Sequence, residues 1–228
     1  MKCDICGYES PRNWSTCRVC EHIKQWDKEF KYKVMDSCFT KRIVKSLKSL
    51  NIEPEEEDMQ LLLSGKGLFL YGAPGTGKTI YACATALEYQ RREFVLHGSI
   101  VLRNKVCFIS MPDLLEKIRA SFNVVKTWRP DDEKVGEKQM TTGDLLDYYN
   151  STKLLVLDDL GAERPTDWTL HIAQLIINNR YENILPTIIT SNLTLDDLSE
   201  QLDDRLASRI YEMCEIRNFG EEDYRLNR

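Results

Sequence analysis

Three things are missing from this chain of 228 residues, and each closes off a class of protein. No apolar run approaches the ~20 residues that a membrane-crossing helix needs, so no membrane partner is expected. The N-terminus, MKCDICGYES, lacks the apolar stretch of a secretory leader, and the expected location is cytoplasmic. The broad positive charge of a nucleic-acid coat is absent too, since the net charge is −5. That figure conceals a split, net +5 over residues 1–50 and net −10 over residues 51–228. Any contact with phosphate must therefore come from a local patch.

What is present falls into three segments. Residues 1–22 hold Cys3, Cys6, Cys17 and Cys20 in a doubled Cys-x-x-Cys. Residues 23–58 form a basic, helical linker with apolar positions at Ile43, Val44, Leu47 and Leu50, closing in the acidic NIEPEEED, which reads as a linker or an exposed helix start with its charges solvated. Residues 59–228 alternate short apolar runs with helical patterns. LFLYG, VCFIS, LLVLDD, TIITSN and CEIRNF read as strands; TIYACATALEYQRR, PDLLEKIRASF and TDWTLHIAQLIINNRYEN read as helices. The last of these has Thr166 as its N-cap and an apolar face of Trp168, Ile172, Leu175 and Ile176. Polar residues 123–143 read as a mobile loop. Strands alternating with helices imply a parallel sheet covered on both faces.

The chemistry gathers at strand ends. Gly72-Ala-Pro-Gly75-Thr-Gly77-Lys78-Thr79 matches G-x-x-x-x-G-K-[ST], after a strand and at the start of a helix. In that setting glycines let backbone N–H groups converge on phosphate oxygens. Lys78 is placed to reach the β- and γ-phosphates of a nucleotide, and Thr79 to hold Mg²⁺. The nucleotide-binding set is Gly72, Ala73, Pro74, Gly75, Thr76, Gly77, Lys78, Thr79 and Ile80. Asp158 and Asp159 end an apolar strand, where two adjacent carboxylates are tolerable beside a bound cation. Asp158 is then the Walker-B ligand of Mg²⁺, and Asp159 faces the γ-phosphate and the attacking water. Asn192 ends the next strand and can hydrogen-bond either. Arg205 and Arg209, four apart in DDRLASRIYE, share a helical face.

The ordered set YGAPGTGKT, VCFISMPDLLEKIR, LLVLDDLGAERPTDW, NNRYENILPTIITSNL and DDRLASRIYE, over residues 65–213, resembles the AAA+ ATPases of the DnaC/DnaI helicase-loader type and the related transposition ATPase IstB. The resemblance implies an α/β P-loop core with a five-stranded parallel sheet between helices, a reduced or absent lid, and slow, assembly-dependent ATP hydrolysis. It makes Lys78, Asp158, Asp159, Asn192 and Arg209 catalytic, with Arg209 acting in trans in a ring or spiral and Arg205 as the less favoured finger. It implies single-stranded DNA contacts from Lys117, Arg119, Lys126 and Arg129, and a hexameric replicative helicase as partner. Asp159 stands where many AAA+ proteins carry Glu. The alternatives are an IstB-like regulator of transposition and a nucleotide-switched adaptor with little hydrolysis.

Cys3, Cys6, Cys17 and Cys20 supply four soft ligands in two knuckles, the chemistry of a tetrahedral structural Zn²⁺ site; a redox pair or an iron–sulfur cluster is the other use of such thiols. His22 lies two residues past Cys20 as a substitute ligand. Cys38, Cys83, Cys107 and Cys214 read as buried small apolar side chains. The resemblance to DnaI-type loaders implies that the zinc part docks on the helicase. Protein kept reduced should carry about one Zn²⁺ per chain, the stoichiometry of a four-thiolate site; elemental analysis that finds iron or no metal rejects the assignment.

Overall fold

The computed structural model describes residues 18–50, 52–97, 106–122 and 140–224. Lys126, Arg129, Cys3, Cys6 and Cys17 lie outside these residues. Five strands form a parallel sheet: β1 (Gly67–Tyr71), β2 (Val106–Ser110), β3 (Leu154–Asp158), β4 (Thr187–Ser191) and β5 (Cys214–Asn218), in the order β2-β3-β4-β1-β5. The register aligns Leu68 with Ile188, Val156 with Ile188, and Leu155 with Thr187.

Both faces of the sheet are dry, as the unbroken apolar strands require. Leu68, Leu70, Leu154, Val156 and Ile188 point to one face. There they meet α5 (Lys78–His97), α4 (Glu56–Leu63), α3 (Lys41–Ser49) and α2 (Lys31–Cys38), through Ala82, Met59, Ile43 and Met35. Phe69, Leu155, Leu157 and Ile189 point to the other. That face is covered by α6 (Met111–Phe122), α7 (Thr142–Asn150), α8 (Asp167–Glu182), α9 (Leu195–Gln201) and α10 (Asp204–Met213). At the N-terminal end α1 (Arg18–Gln25) runs through a π-helical turn, Trp26–Phe30, into α2. It packs on the far end of α5, where Trp26 lies against Phe94 with ring centroids 5.7 Å apart. His22 Nδ1 lies 2.9 Å from the Val95 carbonyl oxygen. Among the described residues no helix is long and apolar enough to cross a membrane.

Three local expectations change. Of the loop expected over 123–143, residues 123–139 lie outside the described residues, and from Thr142 the chain forms α7, started by a capping box in which Thr141 and Asp144 satisfy each other's backbone N–H groups. The acidic run 51–58 is not wholly solvated. It does start a helix, α4, with three acids in its first turn, but Asp58 is buried at 1% exposure. Its Oδ2 accepts from the Tyr81 hydroxyl at 2.6 Å and its Oδ1 from Arg217 Nε at 3.0 Å, tying α4 to α5 and β5. On α8, Thr166 is the N-cap as expected, and Ile172 and Ile176 are buried, but Leu175 faces solvent. Cys83, Cys107 and Cys214 are buried, while Cys38 is half-buried.

The α8 residue that the apolar pattern passes over is Arg180, which is fully buried. Its guanidinium donates to the carbonyls of Tyr149, Thr152 and Pro186 and to the Thr187 hydroxyl, at 2.7–2.9 Å. Those four oxygens are uncharged, and burial lowers the Arg180 pKa to about 10. One side chain thereby holds the ends of α7 and α8 to the starts of β3 and β4. Arg180→Met should cost roughly 3 kcal/mol or more, because several buried acceptors lose their donor at once. Denaturant melts check this; a loss under ~1 kcal/mol would mean the oxygens are satisfied without it.

Candidate functional site

The order of the strands brings the C-terminal ends of β1, β3 and β4 together. In a parallel sheet that edge is where ligands bind. The loop Gly72–Gly77 leaves β1 and runs into α5, which begins at Lys78. Gly72, Gly75 and Gly77 have φ of 147°, 88° and 93°, in the region that only glycine occupies without strain. Lys78 is buried at 5% exposure. Its ammonium is held inside the loop by the carbonyls of Gly72 (2.7 Å) and Ala73 (2.8 Å), with the Thr76 hydroxyl at 3.4 Å. Cation and helix N-terminus thus converge on one point, a geometry that fits an anion.

Thr79 and Asp158 meet directly. The Thr79 hydroxyl donates to Asp158 Oδ1 at 2.8 Å. A hydroxyl and a carboxylate are hard oxygen donors of the kind Mg²⁺ takes, so the pair fits the expected ion. Burial pushes the Asp158 carboxyl above the usual range. The Thr190 hydrogen bond pulls it back, the neighbouring Asp159 pushes it up again, and Thr79 and Lys78 lower it. Asp159 is half-buried and left-handed, with φ of 56°, so its side chain leaves the line of the strand. Asn192 is exposed one residue beyond β4.

Two nearby residues were missed by reading the sequence. Thr190 donates to Asp158 Oδ1 at 2.6 Å and accepts from the Asp159 N–H at 3.0 Å. A hydroxyl two positions before Asn192, on the strand paired with β3, was the available signal. Glu163 lies in the turn after Asp159; its Oε2 is buried without a hydrogen-bond partner among the described residues. Burial raises its pKa, while the backbone N–H groups of Glu163 and Gly161 lower it.

The segment after β5 lies along the phosphate loop. Phe219 N–H donates to the Tyr71 carbonyl at 2.8 Å, Ala73 N–H to the Gly220 carbonyl at 2.9 Å, and Tyr224 N–H to the Gly75 carbonyl at 3.3 Å. A Cβ on Gly75 would meet the Asp223 carboxylate within 2.5 Å and would have to displace it, besides straining a φ of 88°.

The remaining predicted residues lie elsewhere. Arg209 is on α10, its Nη1 donating to Asn178 Oδ1 of α8 at 2.6 Å, and Arg205 on the same helix is exposed. Lys117 donates to the Tyr149 hydroxyl at 3.4 Å. Arg119 lies over the Trp168 ring, 4.8 Å from its centroid. Cys20 is buried on α1. Among the described residues, no group of three or more metal-ligating side chains forms a metal site.

A profile of the IstB-like ATP-binding proteins matches residues 22–228. The chain belongs to this family. Its fold is the AAA+ P-loop fold of DnaC-type ATPases. It is 30% identical over 135 residues to the replicative helicase loader DnaI of Bacillus subtilis, covering 59% of this chain and 35% of that protein. It is 25% identical over 139 residues to the replicative helicase loader DnaC of Escherichia coli K12, covering 61% and 47%. The chain therefore spans about half, or less, of the length of these relatives. The crystal structure of a DnaC helicase loader superposes with a TM-score of 0.56 at 27% identity, covering 78% of this chain and 99% of that one.

A carboxylate with a raised folded-state pKa costs stability while it is ionised, and the cost disappears as pH falls through that pKa. Asp158→Asn keeps an acceptor for both threonines and removes the charge. It should raise the melting temperature at neutral pH, by roughly 2–4 °C for each kcal/mol recovered. The gain should shrink as the pH is lowered into the carboxylate range. Melts across pH check it; a destabilised variant at neutral pH would contradict the electrostatic reading.

Proposed function

We propose that this chain is an ATP-hydrolysing loader that binds a hexameric replicative helicase and delivers it to single-stranded DNA. The observation that carries the reading is the direct Thr79–Asp158 bond beside the buried Lys78 ammonium. It joins Walker A to Walker B as nucleotide hydrolysis needs, in a chain whose relatives DnaI and DnaC are replicative helicase loaders.

The roles follow from that placement. Lys78 and the loop N–H groups hold the phosphates, and Thr79 and Asp158 would hold Mg²⁺, which when bound neutralises charge on the β- and γ-phosphates. Asp159 orients or deprotonates the attacking water, and Asn192 hydrogen-bonds it or the γ-phosphate. Arg209 serves the neighbouring subunit of a ring or spiral. Arg119 and Lys117 on α6, with Lys126 and Arg129, face single-stranded DNA. Cys3, Cys6, Cys17 and Cys20 bind Zn²⁺, and that module docks on the helicase. Residues 1–22, 23–58 and 59–228 are the three functional parts, with α2 and α3 of the middle part sharing a core with the ATPase sheet.

One set of proteins tests both halves of the proposal. Immobilised chain should retain the replicative helicase of its own organism, and loss of retention would remove the loader role. Lys78→Ala and Arg209→Ala should each hydrolyse ATP at under about a tenth of the parent rate, as expected for lost charge stabilisation. Mixed together on single-stranded DNA they should recover turnover, because one interface pairs an intact loop with an intact finger. No recovery at any ratio despite co-assembly would place Arg209 outside the catalytic role.

A further inference from the structure

We propose that Thr190 is the positioning residue of the hydrolytic centre, setting Asp158 and Asp159 together through one hydroxyl. The inference rests on the roles given above to those two acids. The ladder between β3 and β4 runs to Leu157 opposite Ile189. Beyond it, the left-handed backbone at Asp159 turns the chain away from its partner strand. The Thr190 side chain takes over there. Its hydroxyl donates to Asp158 Oδ1 at 2.6 Å and accepts from the Asp159 N–H at 3.0 Å, while its carbonyl accepts from the Leu160 N–H at 2.9 Å. Three consecutive residues of the acidic turn are thus fixed by one residue of β4.

The direction of these bonds is forced. An ionised carboxylate can only accept and a backbone N–H can only donate, so one hydroxyl with a single proton satisfies both. Thr190 is fully buried and does not reach the reacting atoms itself. Its effect passes through the acids. By donating to Asp158 Oδ1, the atom that also accepts from Thr79, it fixes the orientation of that carboxylate. By holding the Asp159 N–H it maintains the backbone conformation that carries the second carboxylate off the strand. Ser191 assists from the next position, its hydroxyl donating to the Leu160 carbonyl at 2.7 Å, but it touches neither acid in this way.

Thr190→Val keeps the shape and removes the hydroxyl; Thr190→Ser keeps the hydroxyl and removes the methyl. The full chain with ATP and Mg²⁺ is followed by single-turnover hydrolysis and, in parallel, by binding of a fluorescent ATP analogue. Thr190→Val should hydrolyse at least tenfold more slowly while binding the analogue within about threefold of the parent. Thr190→Ser should recover most of the rate. A role as a mere strut would not separate hydrolysis from binding and would not be rescued by the hydroxyl alone. Turnover in Thr190→Val within twofold of the parent, or no recovery in Thr190→Ser, overturns the inference. Asp159→Asn measured alongside distinguishes the failures. If that variant is inactive while Thr190→Val is fully active, only the inference about Thr190 falls; if both are fully active, the roles of the acids fall with it. Should Thr190→Val not fold, Thr190→Cys, with its weak S–H donor, carries the same expectations.

Discussion

A carboxylate is buried at the apolar end of β3, and the rest of the site is built around it. Leu154 to Leu157 are fully buried, so Asp158 emerges from an apolar strand. Burial pushes its carboxyl above the usual range. Two threonine hydroxyls, one from the helix after the phosphate loop and one from β4, converge on a single oxygen of it. The Lys78 ammonium lowers its pKa further from within the loop. The strand order that places β3 beside β4, and β4 beside β1, is what allows three distant pieces of sequence to reach one atom.

The parts of this arrangement that follow chain-local rules were legible beforehand. The glycine spacing before Lys78, the apolar run ending in two aspartates, and the N-cap at Thr166 each need only a few consecutive residues. What stayed hidden depends on partners far along the chain. Asp58 looks like one more acid in a solvated run until Tyr81 and Arg217 are seen to enclose it. Arg180 sits in NNRYEN, a string that reads as polar surface, yet the carbonyls of Tyr149, Thr152 and Pro186 and the Thr187 hydroxyl surround it. Thr190 reads as an ordinary β-branched strand residue, because nothing in TIITSN says that its neighbour across the sheet is a carboxylate. Helix α7 is a different case. Its capping signal, Thr141 to Asp144, lies in plain sequence, but the glycine at 143 and the polar run before it outweighed the signal.

The N-terminal helices change the picture of where the ATPase core begins. Met35, Phe39, Ile43 and Val44 are buried in the same cluster as Leu68 and Ala82, and the family profile already matches from residue 22. The positive charge of that part of the chain therefore sits on helices packed against α5, whose N-terminus carries Lys78 and Thr79. A partner bound to α1–α3 would touch helices that pack directly on α5.

The run from Phe219 to Tyr224 has a practical consequence of its own. Its backbone is stitched to Tyr71, Ala73 and Gly75, and the Asp223 carboxylate lies against Gly75. A dye attached in place of Tyr224, whose side chain is exposed, would sit beside the phosphate loop. That position suits an optical reporter of nucleotide occupancy, and it is a poor place for an affinity handle when ATP binding is to be measured. Handles belong at the opposite edge of the sheet, where the turn at Ile184 is open to solvent.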